Sequence, residues 1–115
     1  MHEATLAANV LKIVSRAAAG KENRVARITV SVGELAGVMP AALIFAFNAL
    51  KKETPLDRAD LILIKEPVTA CCDDCGTDYQ PGPFPYHCPA CGSRSFRITG
   101  GEEVRVKSME LKKEI

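Results

Sequence analysis

Arg27-Ile28-Thr29-Val30-Ser31-Val32 alternates polar and apolar residues and is rich in β-branched side chains. A strand turns successive side chains to opposite faces, so Ile28, Val30 and Val32 should share the face that packs on a core. Upstream, from Glu3 to Ala19, the residues Leu6, Val10, Ile13, Val14 and Ala17 recur at three- and four-residue steps. That spacing predicts a helix with one apolar face, closed by Gly20. Downstream, Gly33 and Gly37 interrupt the alternation, and Pro40 suits the first turn of a second helix. This helix, Pro40 to Lys52, carries Leu43, Ile44, Phe47 and Leu50 at helical spacing and should stop before Thr54-Pro55.

Further along, Leu61-Ile62-Leu63-Ile64 is a continuous apolar run, expected as a strand central in its sheet. Ser95 to Thr99 reads as another strand, and Gly100-Gly101 as a turn. Val104-Arg105-Val106 then resumes alternation, and the strand should continue through Met109 and Leu111. Those two are out of phase with Val104 and Val106, which predicts a bulge near Lys107-Ser108.

Composition narrows the setting. A chain of 115 residues has room for one hydrophobic core and a small metal-held insertion. Its formal net charge of +1 offers no clustered basic surface for nucleic acid or an anionic membrane. The longest apolar runs, Ala41 to Phe47 and Leu61 to Ile64, are far shorter than the roughly 20 residues of a bilayer-spanning helix. The residues after Met1, His2 and Glu3, do not resemble a signal peptide, so a cytoplasmic location is expected. In that reducing compartment the five cysteines read as metal ligands or free thiols.

Four of them form two knuckles, Cys72-Asp73-Asp74-Cys75-Gly76 and Cys88-Pro89-Ala90-Cys91-Gly92. Two thiolates three positions apart can converge on one ion from a tight turn, and a glycine after each pair lets the turn close. Cys72, Cys75, Cys88 and Cys91 thus supply a tetrahedral sulfur shell for zinc. Four sulfurs leave no open coordination position, so the zinc is structural and does not activate water. Between the knuckles lie Pro81, Pro83 and Pro85 with little to bury, a segment that needs the metal to fold. Cys71 reads as a spare thiol and His87 as a solvated loop histidine. No Lys or Arg occurs from Cys71 to Cys91, whereas Asp73, Asp74 and Asp78 do. That sign opposes phosphate binding, and Tyr79, Phe84 and Tyr86 read as the ribbon's apolar filling or a protein contact.

The expected architecture is α+β: two helices packed on one face of a mixed three-stranded sheet, with an inserted small zinc-ribbon domain. Residues 1–69 together with 93–115 form the α+β domain, and 70–92 the ribbon.

At the other end, the amine of Met1, the backbone nitrogen and imidazole of His2, and a further donor from Glu3 can close small chelate rings around one ion. Such planar, nitrogen-rich donors suit nickel(II) or copper(II). Taken alone, a histidine at a chain end is more often incidental.

Met1-His2-Glu3-Ala4-Thr5-Leu6, Val32-Gly33-Glu34-Leu35, Phe45-Ala46-Phe47, the two CxxCG knuckles and Gly101-Glu102-Glu103-Val104 together resemble the HypA/HybF family of hydrogenase-maturation nickel metallochaperones. The resemblance implies a nickel site at Met1, His2 and Glu3, with Ni2+ as cargo, and a structural Zn2+ on the four knuckle cysteines. It also implies delivery of nickel to the large subunit of [NiFe] hydrogenase, work with a HypB-type GTPase, and for some members a role in urease maturation. A homodimer is compatible with the chain. No enzyme is expected, because no Ser, Cys or Lys has a base partner at recognisable spacing. The competing reading is a zinc-stapled adaptor with no second metal, and Cys71 and His87 receive no metal role.

Overall fold

A computed structural model describes residues 2–82 and 86–112. Helix α1, Glu3–Ala17, leads through a single 3-10 turn into β1, Val25–Gly33. Helix α2, Pro40–Lys51, then crosses to β2, Asp60–Glu66. Three short strands follow, β3 Thr69–Cys72, β4 Asp78–Tyr79 and β5 Phe96–Gly100, before the final β6, Val104–Leu111. The strands form two sheets, one ordered β2-β1-β6 and the other β4-β3-β5. In the first, β1 runs parallel to β2 and antiparallel to β6, which makes it the expected mixed three-stranded sheet.

The core lies between that sheet and the two helices. Ile28 and Val30 are fully buried and Val32 nearly so, as their alternation requires. Leu61 and Leu63 flank them on β2, with Met109, Val106 and Val104 on β6. From above, α1 contributes Leu6, Val10 and Val14, and α2 contributes Leu43 and Phe47. Complete burial of a ring such as Phe47 is worth about 1.5–3 kcal/mol. Leu56 and Ala59, in the α2–β2 connection, close the end of this layer. The register of β6 against β1 skips Lys107, between the pairs Thr29↔Ser108 and Val30↔Val106, so the out-of-phase residues do mark a bulge.

Five expectations need correction. β2 is an edge strand, with β1 in the centre. Ile62 and Ile64 point away from the helices and are 39% and 48% exposed, so an apolar run did not mean burial on both faces. On α1 the buried stripe is Leu6, Ala7, Val10 and Val14, whereas Ile13 is 52% exposed. Leu11, not Ile13, packs on the core. The helix also ends at Ala17, and Gly20 takes its positive φ, +82°, in the turn beyond. On α2, Ile44 and Leu50 are exposed although their spacing is helical. Finally, the strand expected at Ser95 to Thr99 is present as β5, but it pairs with β3 in the small sheet.

The two sheets meet at a backbone junction. The Gly33 amide donates to the Glu103 carbonyl at 2.8 Å, Leu35 to Gly101 at 2.7 Å, and Glu34 to Glu66 at 2.9 Å. A side chain on Gly33 would run into the Gly101 carbonyl, and one on Gly101 would stand 2.7 Å from the Val68 Cα. Gly33→Ala should therefore cost about 1–3 kcal/mol, the usual cost of overpacking a close contact. Thermal unfolding checks this against Gly82→Ala, where the added methyl meets open space.

Candidate metal centre

Cys72 ends β3, and the chain turns at once. The Gly76 amide donates to the Cys72 carbonyl at 3.0 Å, while the Cys72 amide donates to the Thr77 carbonyl at 2.9 Å. The second knuckle repeats both bonds, Gly92 to Cys88 at 2.8 Å and Cys88 to Ser93 at 2.8 Å. Gly76 and Gly92 carry φ of +76° and +77°, a region that L side chains rarely enter. Each knuckle is thus the same folded unit, Cys-x-x-Cys-Gly followed by Thr or Ser.

The two units face each other. The four sulfurs of Cys72, Cys75, Cys88 and Cys91 lie within 4.8 Å of one another. Cys72 Sγ is 3.5 Å from Cys91 Sγ, and Cys75 Sγ is 3.6 Å from Cys88 Sγ. A zinc ion bonded at about 2.3 Å to each corner of a tetrahedron requires sulfur–sulfur edges of about 3.8 Å. The donor set fits zinc in number, chemistry and spacing. Cys72 and Cys88 are buried, and Cys75 and Cys91 are exposed.

Crowding sets the acidity of these thiols. The Thr77 hydroxyl, then its amide, draws the Cys75 thiol down to about 6. The Ser93 amide favours a Cys91 thiolate, but the adjacent Cys72 sulfur, burial and the remaining thiols push it up to about 12. Only a cation at the centre lets all four sulfurs ionise together.

Around the sulfurs, short polar contacts tie one knuckle to the other. Ser93 Oγ donates to the Asp74 carboxylate, and Ser95 Oγ to Asp73 Oδ2 at 2.8 Å. Arg97 lies 3.7 Å from Asp73. Tyr79 and Tyr86 stand edge-on to Phe96, at 6.4 and 6.0 Å between ring centres; half-buried Tyr79 serves as filling for the small sheet, whereas Tyr86 stays 41% exposed. Phe84 lies outside the described residues. Cys71 is buried with its sulfur 3.7 Å from the Gly76 carbonyl, outside the four-sulfur group, and burial raises its thiol. His87 is exposed beside Cys88.

Met1 also lies outside the described residues. His2 is exposed, with extended backbone at φ −78° and ψ 132°, and its carbonyl accepts the Leu6 amide at 3.1 Å. It is the N-cap of α1, where amide nitrogens have no intrahelical acceptor. Glu3 begins the helix, and its Oε2 accepts the Met39 amide at 3.2 Å. That bond holds the carboxyl below its ordinary 4.5. A carboxyl depressed by folding gives stability that is present above the ordinary value and is lost as pH falls through the folded one. Glu3→Ala, or acid, should therefore speed hydrogen exchange at the Met39 amide while leaving α1 formed.

Sequence reasoning did not find the Glu3–Met39 contact, since nothing in spacing links residues 36 apart. Thr77, Ser93 and Ser95 were also missed, although a hydroxyl directly after each Cys-Gly was readable.

An α+β layer joined to a four-cysteine ribbon marks a small protein equipped to hold a metal ion. Within that class the chain belongs to the HypA family. The family model described as "Hydrogenase/urease nickel incorporation, metallochaperone, hypA" matches residues 1–111. The hydrogenase maturation factor HypA of Geobacter metallireducens is 36% identical over 111 residues, covering 96% of this chain and 99% of that one. That of Chloroflexus aggregans is 38% identical over 113 residues, covering 96% and 98%. The solution structure of the Ni metallochaperone HypA from Helicobacter pylori superposes with a TM-score of 0.72 at 26% identity, over 99% of this chain and 100% of that one. Among the described residues, no helix is long and apolar enough to cross a membrane.

Proposed function

We propose that this chain is a cytoplasmic nickel metallochaperone that binds Ni2+ through Met1, His2 and Glu3 and delivers it during [NiFe] hydrogenase maturation. The observation that carries the nickel site is where α1 begins. Because the helix starts at Glu3 with His2 as its cap, the amide nitrogens of both residues lie in the turn that makes no intrahelical bonds. They can lose a proton to nickel without breaking the helix. The Glu3 carboxylate is occupied by the Met39 amide, so its backbone nitrogen is the better fourth donor. Exposure of His2 leaves the ion open to transfer.

Cys72, Cys75, Cys88 and Cys91 hold a structural zinc in the same proposal, and that ion organises the small sheet without entering the transfer. The hydrogen bonding of β5 to β3 favours extending the ribbon unit to Gly100, beyond the division at residue 92. The protein acts as a carrier and not as an enzyme. Its partners are a HypB-type GTPase and the hydrogenase large subunit, with urease maturation as a second destination.

Nickel titration of the tag-free protein, read by native mass spectrometry, tests this. One zinc throughout and one nickel at saturation is the expected result, with the nickel lost when the α-amine is acetylated. Equal nickel uptake by the acetylated chain would remove the terminal site from the proposal. No specific nickel in either form would leave a zinc-stapled adaptor.

A further inference from the structure

The formal charge of +1 suggests no basic surface, but it averages two unlike ends. Both helices finish at the end of the large sheet where β1 and β2 begin and β6 stops. That end holds residues 12–27, 50–60 and 107–112, with ten Lys and Arg against five Asp and Glu. The other described residues, the four-cysteine unit included, carry four against eight. The longest extent of the molecule is 56 Å, against a screening length of about 8 Å, so the acidic end does not cancel the field of the basic one.

Little at the basic end neutralises it from within. Among the described residues one ion pair lies there, Arg27 with Glu110 at 3.3 Å. Arg24 donates to the Lys112 carbonyl at 2.8 Å, and Lys51 to the Ala59 carbonyl at 2.7 Å, so these two cations meet neutral acceptors. Lys12 and Arg16 stand one turn apart on α1, exposed and outside every ion pair among the described residues. Like charges at that spacing weaken a helix when nothing of opposite sign lies between them.

Beside these two cations runs a groove of about 320 Å³, lined by Leu11, Lys12, Ser15, Arg16, Thr54 and Leu56. Leu56 is buried and Leu11 half-buried, which makes the floor apolar. The far wall is fixed in place: the Thr54 hydroxyl donates to the Lys51 carbonyl at 2.7 Å and accepts the Leu56 amide at 3.1 Å. The groove thus joins an apolar floor to a rim with two unpaired positive charges.

We infer that this groove docks an acidic segment of a partner protein, with an apolar side chain over Leu11 and Leu56 and carboxylates beside it paired to Lys12 and Arg16. Charge complementarity selects the acid, and the floor selects a protein over a phosphate polymer. A phosphate gains nothing from leucine, and the five carboxylates of this end, Asp57 and Asp60 among them, repel a continuous phosphate backbone. A protein segment can place its charges one by one. The field of the whole end then speeds encounter, while the groove fixes position. At 1.5 Å per residue the groove lies about 15–20 Å along α1 from His2, so a protein held there leaves the chain terminus open.

This inference does not rest on the nickel reading. The probe is a short fluorescein-labelled peptide with two leucines at its centre and glutamates on both sides, titrated with the full zinc-loaded chain and read by anisotropy. Binding is expected at about 20 mM salt and should weaken at least about ten-fold at about 300 mM. Lys12→Glu with Arg16→Glu should lower affinity at least about ten-fold, whereas Lys21→Glu with Lys107→Glu, the same change of charge at the same end, should lower it less than about three-fold. Ser15→Phe fills the groove, keeps every charge, and should abolish binding. All four exchanged cations are exposed, and circular dichroism with zinc content confirms that each variant folds. No binding at low salt, or an equal loss from both charge pairs, would overturn the groove. A short DNA duplex that binds as tightly as the peptide would overturn the protein partner.

Discussion

Removing the proposed zinc, or replacing Cys72 by Ser, should unfold the small sheet and leave the helices in place. Among the described residues from Thr69 to Gly100 the buried apolar residues are Ala70, Cys71, Cys72 and Cys88, so two of the four are themselves proposed metal ligands. So small a core does not hold this segment against the conformational entropy lost on ordering it, and binding of a structural zinc supplies folding free energy directly. The larger layer has its own core, and β1 keeps both of its neighbours without β3 to β5. After chelation, NMR signals of residues 69–100 should collapse toward random-coil positions while the helical circular dichroism persists. Unchanged dispersion in that segment would mean that the ribbon folds without the ion, and the structural role would fail.

His2→Ala should lower nickel affinity by more than about 100-fold, since it removes a direct donor and the chelate ring that donor closes. Even outer-shell substitutions at metal sites cost 10–100-fold. Stability should change little. The His2 side chain is exposed, and the bond that starts α1, from the Leu6 amide to the His2 carbonyl, survives the substitution. Zinc content should stay at one per chain. Protons compete with nickel for the imidazole, the amine and the amide nitrogens, so uptake should fall as pH is lowered. Isothermal titration of both proteins at two pH values measures this. Equal affinity in the variant would move the cargo site away from the terminus.

Set against these expectations, the legibility of the chain is uneven. The four-cysteine cluster was readable because the Cys-x-x-Cys-Gly knuckle is a local structure: its hydrogen bonds and positive φ values all fall within six residues. β1 was readable because Ile28, Val30 and Val32 are buried as the alternation requires, although Ser31 on the other face is buried as well. The proposed terminal nickel site rests on residues adjacent in sequence, and there the structure adds the helix cap and the tethered Glu3 carboxylate.

Long-range choices were not legible. Whether Leu61 to Ile64 sits at the centre or the edge depends on which strands pair with β1, and the residues of β2 carry no record of that. Likewise Leu11 and Ile13 occupy equally good helical positions on α1, and only the placement of α2 decides which one is buried. Phe96 to Gly100 could have joined either sheet, since a short strand carries no address for its partner. By itself, the sequence determined the two helices, the strands of the larger sheet, the four-cysteine cluster and the family-like terminus, because those depend on neighbours in the chain. Tertiary structure decided the strand order, the buried helix faces and the Gly33–Gly101 junction, because each is set by contacts between segments far apart in sequence.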